Sequence, residues 1–280
     1  MTRSADISPL SVLLSRVDAV SDGAPQRDSI ASGFASLDKL LGGGFRRGDL
    51  VVLGGDVASG KSALALAFAI RGSVRGTRVA FLTAEMAVER VLERIIAIEA
   101  RAKVDDLRQG SLDDETRATA GSVAIRLREH LPLIERVRRN GGIAAIDDLI
   151  ENPPIADLIV IDSLRSLARD ETPGDEEIGI VVRGLKELAV ERDVAILVTA
   201  PLTTLAGRAD RRPVLDDFGD GSVKQTADVV LALYREEMYD VAKDIAGATE
   251  LMVRKNRNGP TGYVDLYFYA QWMRFEDMSE

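Results

Sequence analysis

Leu50-Val51-Val52-Leu53-Gly54-Gly55-Asp56-Val57-Ala58-Ser59-Gly60-Lys61-Ser62 joins an apolar run to a glycine-bounded loop closed by lysine and serine. An alanine- and leucine-rich stretch follows, so the loop lies between a buried strand and the start of a helix. Its spacing fits G-x-x-x-x-G-K-[ST]. The glycines let successive backbone N–H groups turn inward around a phosphate, and the helix N-terminus adds its positive dipole end. Lys61 is placed to neutralise β- and γ-phosphate oxygens, and the Ser62 hydroxyl to complete the coordination of Mg²⁺. Gly55, Asp56, Val57, Ala58, Ser59, Gly60, Lys61 and Ser62 are therefore the expected nucleotide-binding residues. The alternative is a glycine-rich turn with an accidental lysine, which the flanking strand and helix disfavour.

On either side of this loop, strand and helix signals alternate, which argues for a mainly parallel sheet covered on both faces. Strands are expected at Leu50–Gly54, Arg78–Thr83, Asp157–Asp162 and Val194–Thr199, with helices at Lys61–Arg71, Ala87–Ala100 and Glu177–Arg192. Asp162 closes the run Leu158-Ile159-Val160-Ile161, at a carboxyl edge where α/β folds bind ligands, and is the second expected Mg²⁺ residue. Glu85 ends the strand Val79–Thr83 and could orient or deprotonate an attacking water. The alternative for both acids is a capping carboxylate. Beyond Ala227 the pattern changes to strands joined by turns, at Ala227–Leu233, Glu250–Arg254 and Gly262–Tyr269. With the tight turn Asn258-Gly259-Pro260 between two of them, this end reads as an antiparallel extension.

Residues 1–30 read as an arm and 31–280 as the ATPase domain. In the arm, Leu10, Leu13, Leu14 and Val17 share one helical face, which either folds back on its own domain or docks on an adjacent subunit. No stretch approaches the roughly 20 apolar residues that cross a bilayer. The chain contains no cysteine, which removes disulfides and thiolate metal sites, and a cytoplasmic protein is expected. A net charge of −9 argues against a broad basic face for nucleic acid; any such grip has to be local, as in a ring pore.

From about Ser32 to Asp277 the chain resembles the motor domain of DnaB-type replicative helicases, within the RecA/KaiC group of P-loop ATPases. The resemblance is carried by Ser32-Gly33-Phe34 with Leu37-Asp38, by the phosphate loop, and by Ala84-Glu85-Met86. It continues through Gly110-Ser111-Leu112-Asp113-Asp114-Glu115, Ile161-Asp162-Ser163-Leu164, residues 208–214 and Gln225-Thr226-Ala227-Asp228. Tyr234-Arg235-Glu236-Glu237-Met238-Tyr239, residues 254–262 and Gln271-Trp272-Met273-Arg274-Phe275 complete it. Leu41-Gly42-Gly43-Gly44-Phe45 looks more like KaiC or RadA proteins. The resemblance implies a RecA-like core that hydrolyses ATP with Mg²⁺ in a homo-oligomeric ring, expected to be a hexamer on single-stranded DNA. It also implies that Lys255 and Arg257, in the family's K-x-R-N-G-P turn, reach the γ-phosphate of the neighbouring subunit. Taken without it, the pair are solvated charges beside a hairpin turn. On the same resemblance, the arm from Leu10 to Val17 is expected to be placed like the family's linker helix, which binds the neighbour.

Three departures stand out. The family's amino-terminal domain, which supports primase and loader contacts, is replaced here by the arm, so those contacts are not expected. Where the family reads S-Q-L-N-R, with a glutamine linking the γ-phosphate to the DNA loops, this chain reads Ala200-Pro201-Leu202-Thr203-Thr204. Proline has no N–H or side-chain donor, so that link is lost or rebuilt. The DNA-contact stretch D-L-R-E-S-G-S becomes Asp217-Phe218-Gly219-Asp220-Gly221-Ser222, without its arginine. Candidate DNA contacts are Arg208, Arg211, Arg212, Gly219, Asp220 and Gly221, in a segment whose basic and acidic residues balance. Two other classes of function stay open: a KaiC- or RadA-like ATPase that switches a protein partner, and an accessory subunit of another protein's ring.

Trp272 is expected to pack a terminal strand rather than stack a base, and His130 to have no catalytic role. Val88, Val91, Leu92, Ile95 and Ile96 read as core. Arg126, Arg128, Arg136, Arg138 and Arg139 read as a solvated basic cluster around Leu131–Ile134, with a nucleic-acid patch as the lesser reading.

Overall fold

The computed structural model describes residues 9–22, 28–150, 156–170, 173–202, 210–219, 221–240 and 245–278. A short antiparallel ribbon of β1 (Ser29–Ile30) and β2 (Phe45–Arg46) precedes the main sheet. The sheet then takes β3 (Leu50–Gly55), β4 (Val79–Thr83), β5 (Leu133–Arg136) and β6 (Leu158–Asp162). It continues with β7 (Ala195–Pro201), β8 (Val229–Tyr234), β9 (Ala248–Asn256), β10 (Gly262–Tyr269) and β11 (Arg274–Asp277). These nine strands lie in the order β11-β10-β9-β8-β3-β7-β6-β4-β5. The pairings from β8 to β5 are parallel and those from β8 to β11 antiparallel. This is the α/β, RecA-like arrangement with the antiparallel extension that the sequence predicts.

Side chains alternate between two cores. Val51 and Leu53 of β3, Phe81 of β4, Val160 of β6 and Leu197 of β7 face the helices Lys61–Val74 and Val88–Ala100. Leu50, Val52, Leu82, Ile161 and Val198 face the helix Asp175–Glu191 on the other side. Because both faces are covered, the central strands read as unbroken apolar runs. Phe68 anchors the first core, with Phe34 and Phe45 edge-on to it at ring-centroid separations of 5.5 and 5.4 Å.

The structure adds elements that the sequence pattern does not announce. β5 lies at the sheet edge inside the segment expected to be a solvated basic surface, and its Leu133 and Arg136 are exposed. Half-exposed edge strands need no apolar run, which is why the pattern hides it. Arg126 of that cluster pairs with Glu99 at 2.9 Å. Trp272 stacks on Tyr269 at 5.2 Å in the turn before β11, in the packing role expected of it. In the helix Pro9–Ser21, Leu10, Leu13, Leu14 and Val17 are 62, 55, 54 and 53% exposed, so this face does not fold back on the domain.

Candidate active site

β3 delivers the phosphate loop to the carboxyl edge of the sheet, and the helix Lys61–Val74 begins directly behind it. Gly60 caps that helix at φ 101°, a conformation that favours glycine, and a Cβ there would meet Phe275 at 2.9 Å. Lys61 Nζ donates to the Asp56 carbonyl at 2.7 Å. Burial lowers the Lys61 pKa, while Asp162, Asp56 and Glu85 act to raise it. One lysine therefore faces three carboxylates, a cluster that a bound polyanion would rebalance. The Ser59 hydroxyl is buried with no partner among the described residues, an orphan that an incoming oxygen would satisfy.

Asp162 ends β6, is 5% exposed, and accepts from Thr199 Oγ1 at 2.6 Å. Thr199 belongs to β7, the strand between β6 and β3, so this bond fixes the carboxylate next to the loop-bearing strand. Glu85 is exposed, and its Oε1 accepts from Ser163 Oγ at 2.8 Å and Ser166 Oγ at 2.7 Å. Its Oε2 has no partner among the described residues and is open to a water. Glu85 and Asp162 thus lie close to Lys61 and the loop. Ser163, Ser166 and Thr199 are additions from the structure: only Ser163, next to Asp162, carries any local signal.

The antiparallel extension braces the loop from its far side. Tyr239 donates to Asp56 Oδ2 at 3.1 Å and stacks on Tyr234 at 5.5 Å. Burial, and the negative charge of Asp56, push the Tyr239 hydroxyl well above its ordinary pKa, so it stays a donor. Arg235 lies over the Phe268 ring at 4.5 Å, pairs with Glu237, and donates to the Ala58 carbonyl at 3.3 Å.

Lys255 and Arg257 sit at the opposite edge. Asp228, to which Arg257 is bonded, accepts from the backbone N–H of Leu50, where β3 begins. The phosphate loop leaves the other end of that six-residue strand, roughly 17 Å away at the rise of a β-strand. A chain with this topology cannot bring Arg257 to its own loop.

The predicted DNA contacts divide. Arg208 and Asp220 lie outside the described residues. Arg212 makes a bidentate pair with Glu250, at 2.9 and 2.5 Å, and lies over the Tyr234 ring at 5.0 Å. Arg211 contributes positive charge near Tyr239. Gly219 and Gly221 take φ values of 103° and 100°, and Gly219 lines a small pocket with Pro201 and Phe218. Pro201 ends β7 in register with Gly55 of the phosphate loop.

The family model for the DnaB-like helicase C terminal domain matches residues 29–277. The chain belongs to this family. The replicative DNA helicase DnaC of Bacillus subtilis is 28% identical to it over 270 residues, which span 89% of this chain and 56% of that protein. Replicative DNA helicase DnaB of Geobacillus stearothermophilus is 27% identical over the same shares. This DnaB-like chain thus spans about half the length of the relatives it matches. Among solved structures, a DnaB-like replicative helicase, solved with its interactions with primase, superposes with a TM-score of 0.85 at 22% identity, covering 96% of this chain and 66% of that one. A second solved structure, an isolated ATPase domain, gives 0.86 at 23% identity, covering 98% and 100%. These two likenesses show the fold. Among the described residues, no helix is long and apolar enough to cross a membrane.

Proposed function

We propose that this DnaB-like chain is a cytoplasmic ATPase motor that hydrolyses ATP at the subunit interfaces of a ring and moves on single-stranded DNA. The observation that carries the reading is the split of the site across the sheet. Gly55–Ser62, Asp162 and Glu85 share the carboxyl edge, whereas Lys255 and Arg257 share the amino edge. A head-to-tail contact brings one edge to the other and repeats into a closed ring, hexameric in this proposal. The exposed face of Leu10, Leu13, Leu14 and Val17 then docks on the adjacent copy.

Ser62 and Asp162 offer oxygen donors, which suit Mg²⁺ alongside phosphate and water ligands. Bound there, the ion would neutralise phosphate charge. Glu85 Oε2 accepts a proton from water as the water oxygen bonds to the γ-phosphorus. The bond from that phosphorus to the β–γ bridging oxygen breaks, and ADP leaves with its electron pair. Lys61 in cis, with Lys255 and Arg257 in trans, offsets charge on the transferring group. Replacing both Ser163 and Ser166 with alanine removes the hydroxyls that orient Glu85. It should lower kcat about tenfold with KM little changed; steady-state kinetics showing unaltered kcat would remove Glu85 from this role.

Pro201 beside Gly55 favours one other reading, a nucleotide switch acting on a protein partner, because no side-chain amide at that position can report the γ-phosphate to a DNA loop. ATPase rates with and without single-stranded DNA, across a salt series, separate the two. The motor predicts stimulation that declines as salt rises. A rate indifferent to DNA at every salt concentration rejects it in favour of the switch.

A further inference from the structure

The motif Gln225-Thr226-Ala227-Asp228 lies apart from the phosphate loop, yet it surrounds the two cations assigned to the neighbour. Asp228 is only 4% exposed. Its Oδ1 accepts from Arg257 Nη1 at 3.0 Å, and its Oδ2 from Lys186 Nζ at 2.7 Å and Leu50 N at 2.8 Å. Its backbone carbonyl accepts from Arg257 N at 2.9 Å. Arg257 Nη2 donates to the Gln225 carbonyl at 2.5 Å, and Lys255 Nζ to the carbonyls of Lys224 and Gln225 at 2.7 and 3.3 Å.

Two of the five guanidinium N–H groups of Arg257 are therefore engaged, and the others have no partner among the described residues. The side chain is 46% exposed, so it is held on one side and open on the other. A long flexible cation gains most from such a hold when it has to meet a phosphoryl group in one geometry.

We propose that Asp228 is the positioning residue for Arg257, clamping the guanidinium so that its free N–H groups face the neighbouring subunit's γ-phosphate. This rests on the trans role of Arg257 proposed above. The competing account is that Asp228 merely anchors the start of β3 through Leu50 and Lys186. That account places the damage from its loss in nucleotide affinity and stability rather than in turnover. Asp228→Asn keeps an oxygen for the Leu50 N–H but removes the charge that balances Arg257, Lys186 and Lys255; Asp49 is a further carboxylate close to Asp228 and Lys186.

The test is the ATPase kinetics of Asp228→Asn, Asp228→Glu, Arg257→Ala and the Asp228→Asn/Arg257→Ala double variant, each as the full chain. The expected result is a kcat about ten- to a hundredfold lower for Asp228→Asn with KM within about twofold. Asp228→Glu should restore most of the loss, and the double variant should be no slower than Arg257→Ala. Multiplying losses in the double variant, or an Asp228→Asn effect confined to KM or thermal stability, overturns the assignment. Normal turnover in Arg257→Ala instead overturns the trans role on which it rests.

Discussion

Lys61→Ala should abolish ATP turnover, with the rate falling by at least about a thousandfold. The reason lies in what the lysine faces. Its ammonium is the cation held among Asp56, Asp162 and Glu85, and its removal leaves three carboxylates turned toward a triphosphate. Like charges confined in a partly buried site repel strongly, so affinity should fall along with rate. Lys61→Arg keeps the charge but is too long and planar for the pocket that now seats Nζ against the Asp56 carbonyl, so it should recover little activity. Calorimetric titration with magnesium-ATP, together with a phosphate-release assay, checks both halves. Wild-type turnover in Lys61→Ala would mean that the loop is not the phosphate site.

Arg257→Ala should leave nucleotide affinity near wild type while lowering kcat by about three orders of magnitude, the scale of an arginine supplied by a partner. Affinity survives because each chain's own loop, with Lys61 and Asp162, lies at the far end of β3 from Arg257. Turnover falls because charge moves onto the γ-phosphoryl oxygens during transfer, and only a donor placed there in the transition state stabilises it. Arg257→Lys should recover only part of the rate, since a point charge cannot reproduce the planar fork. Pre-steady-state ATP binding with single-turnover hydrolysis measures the two separately. A loss of affinity matching the loss of rate would count against a role limited to the transition state.

The parts of the site that are contiguous in the chain were legible in the sequence. The loop residues Gly55–Ser62 follow an apolar strand and open a helix, and Asp162 closes an apolar run, so local pattern alone placed both on the carboxyl edge. What supports them was not legible, because Thr199, Ser166 and Tyr239 meet Asp162, Glu85 and Asp56 only through the strand order and the returning C-terminal strands. Tertiary partners of this kind leave no periodic signal. The short edge strand Leu133–Arg136 is hidden for a related reason: it is half solvated and carries charge. For Lys255 and Arg257, the residues alone suggest solvated charges beside a turn, and the proposed trans role rests on the family resemblance. The structure adds the separation from their own loop.

That separation makes subunit mixing the most direct measurement. Lys61→Ala chains still carry an intact Arg257, and Arg257→Ala chains still carry an intact loop. Mixed rings should regain ATPase activity that neither variant shows alone, at up to about a quarter of interfaces in random assembly. A mixture no more active than the sum of its two components, under conditions in which the chains demonstrably co-assemble, would contradict a site shared between neighbours.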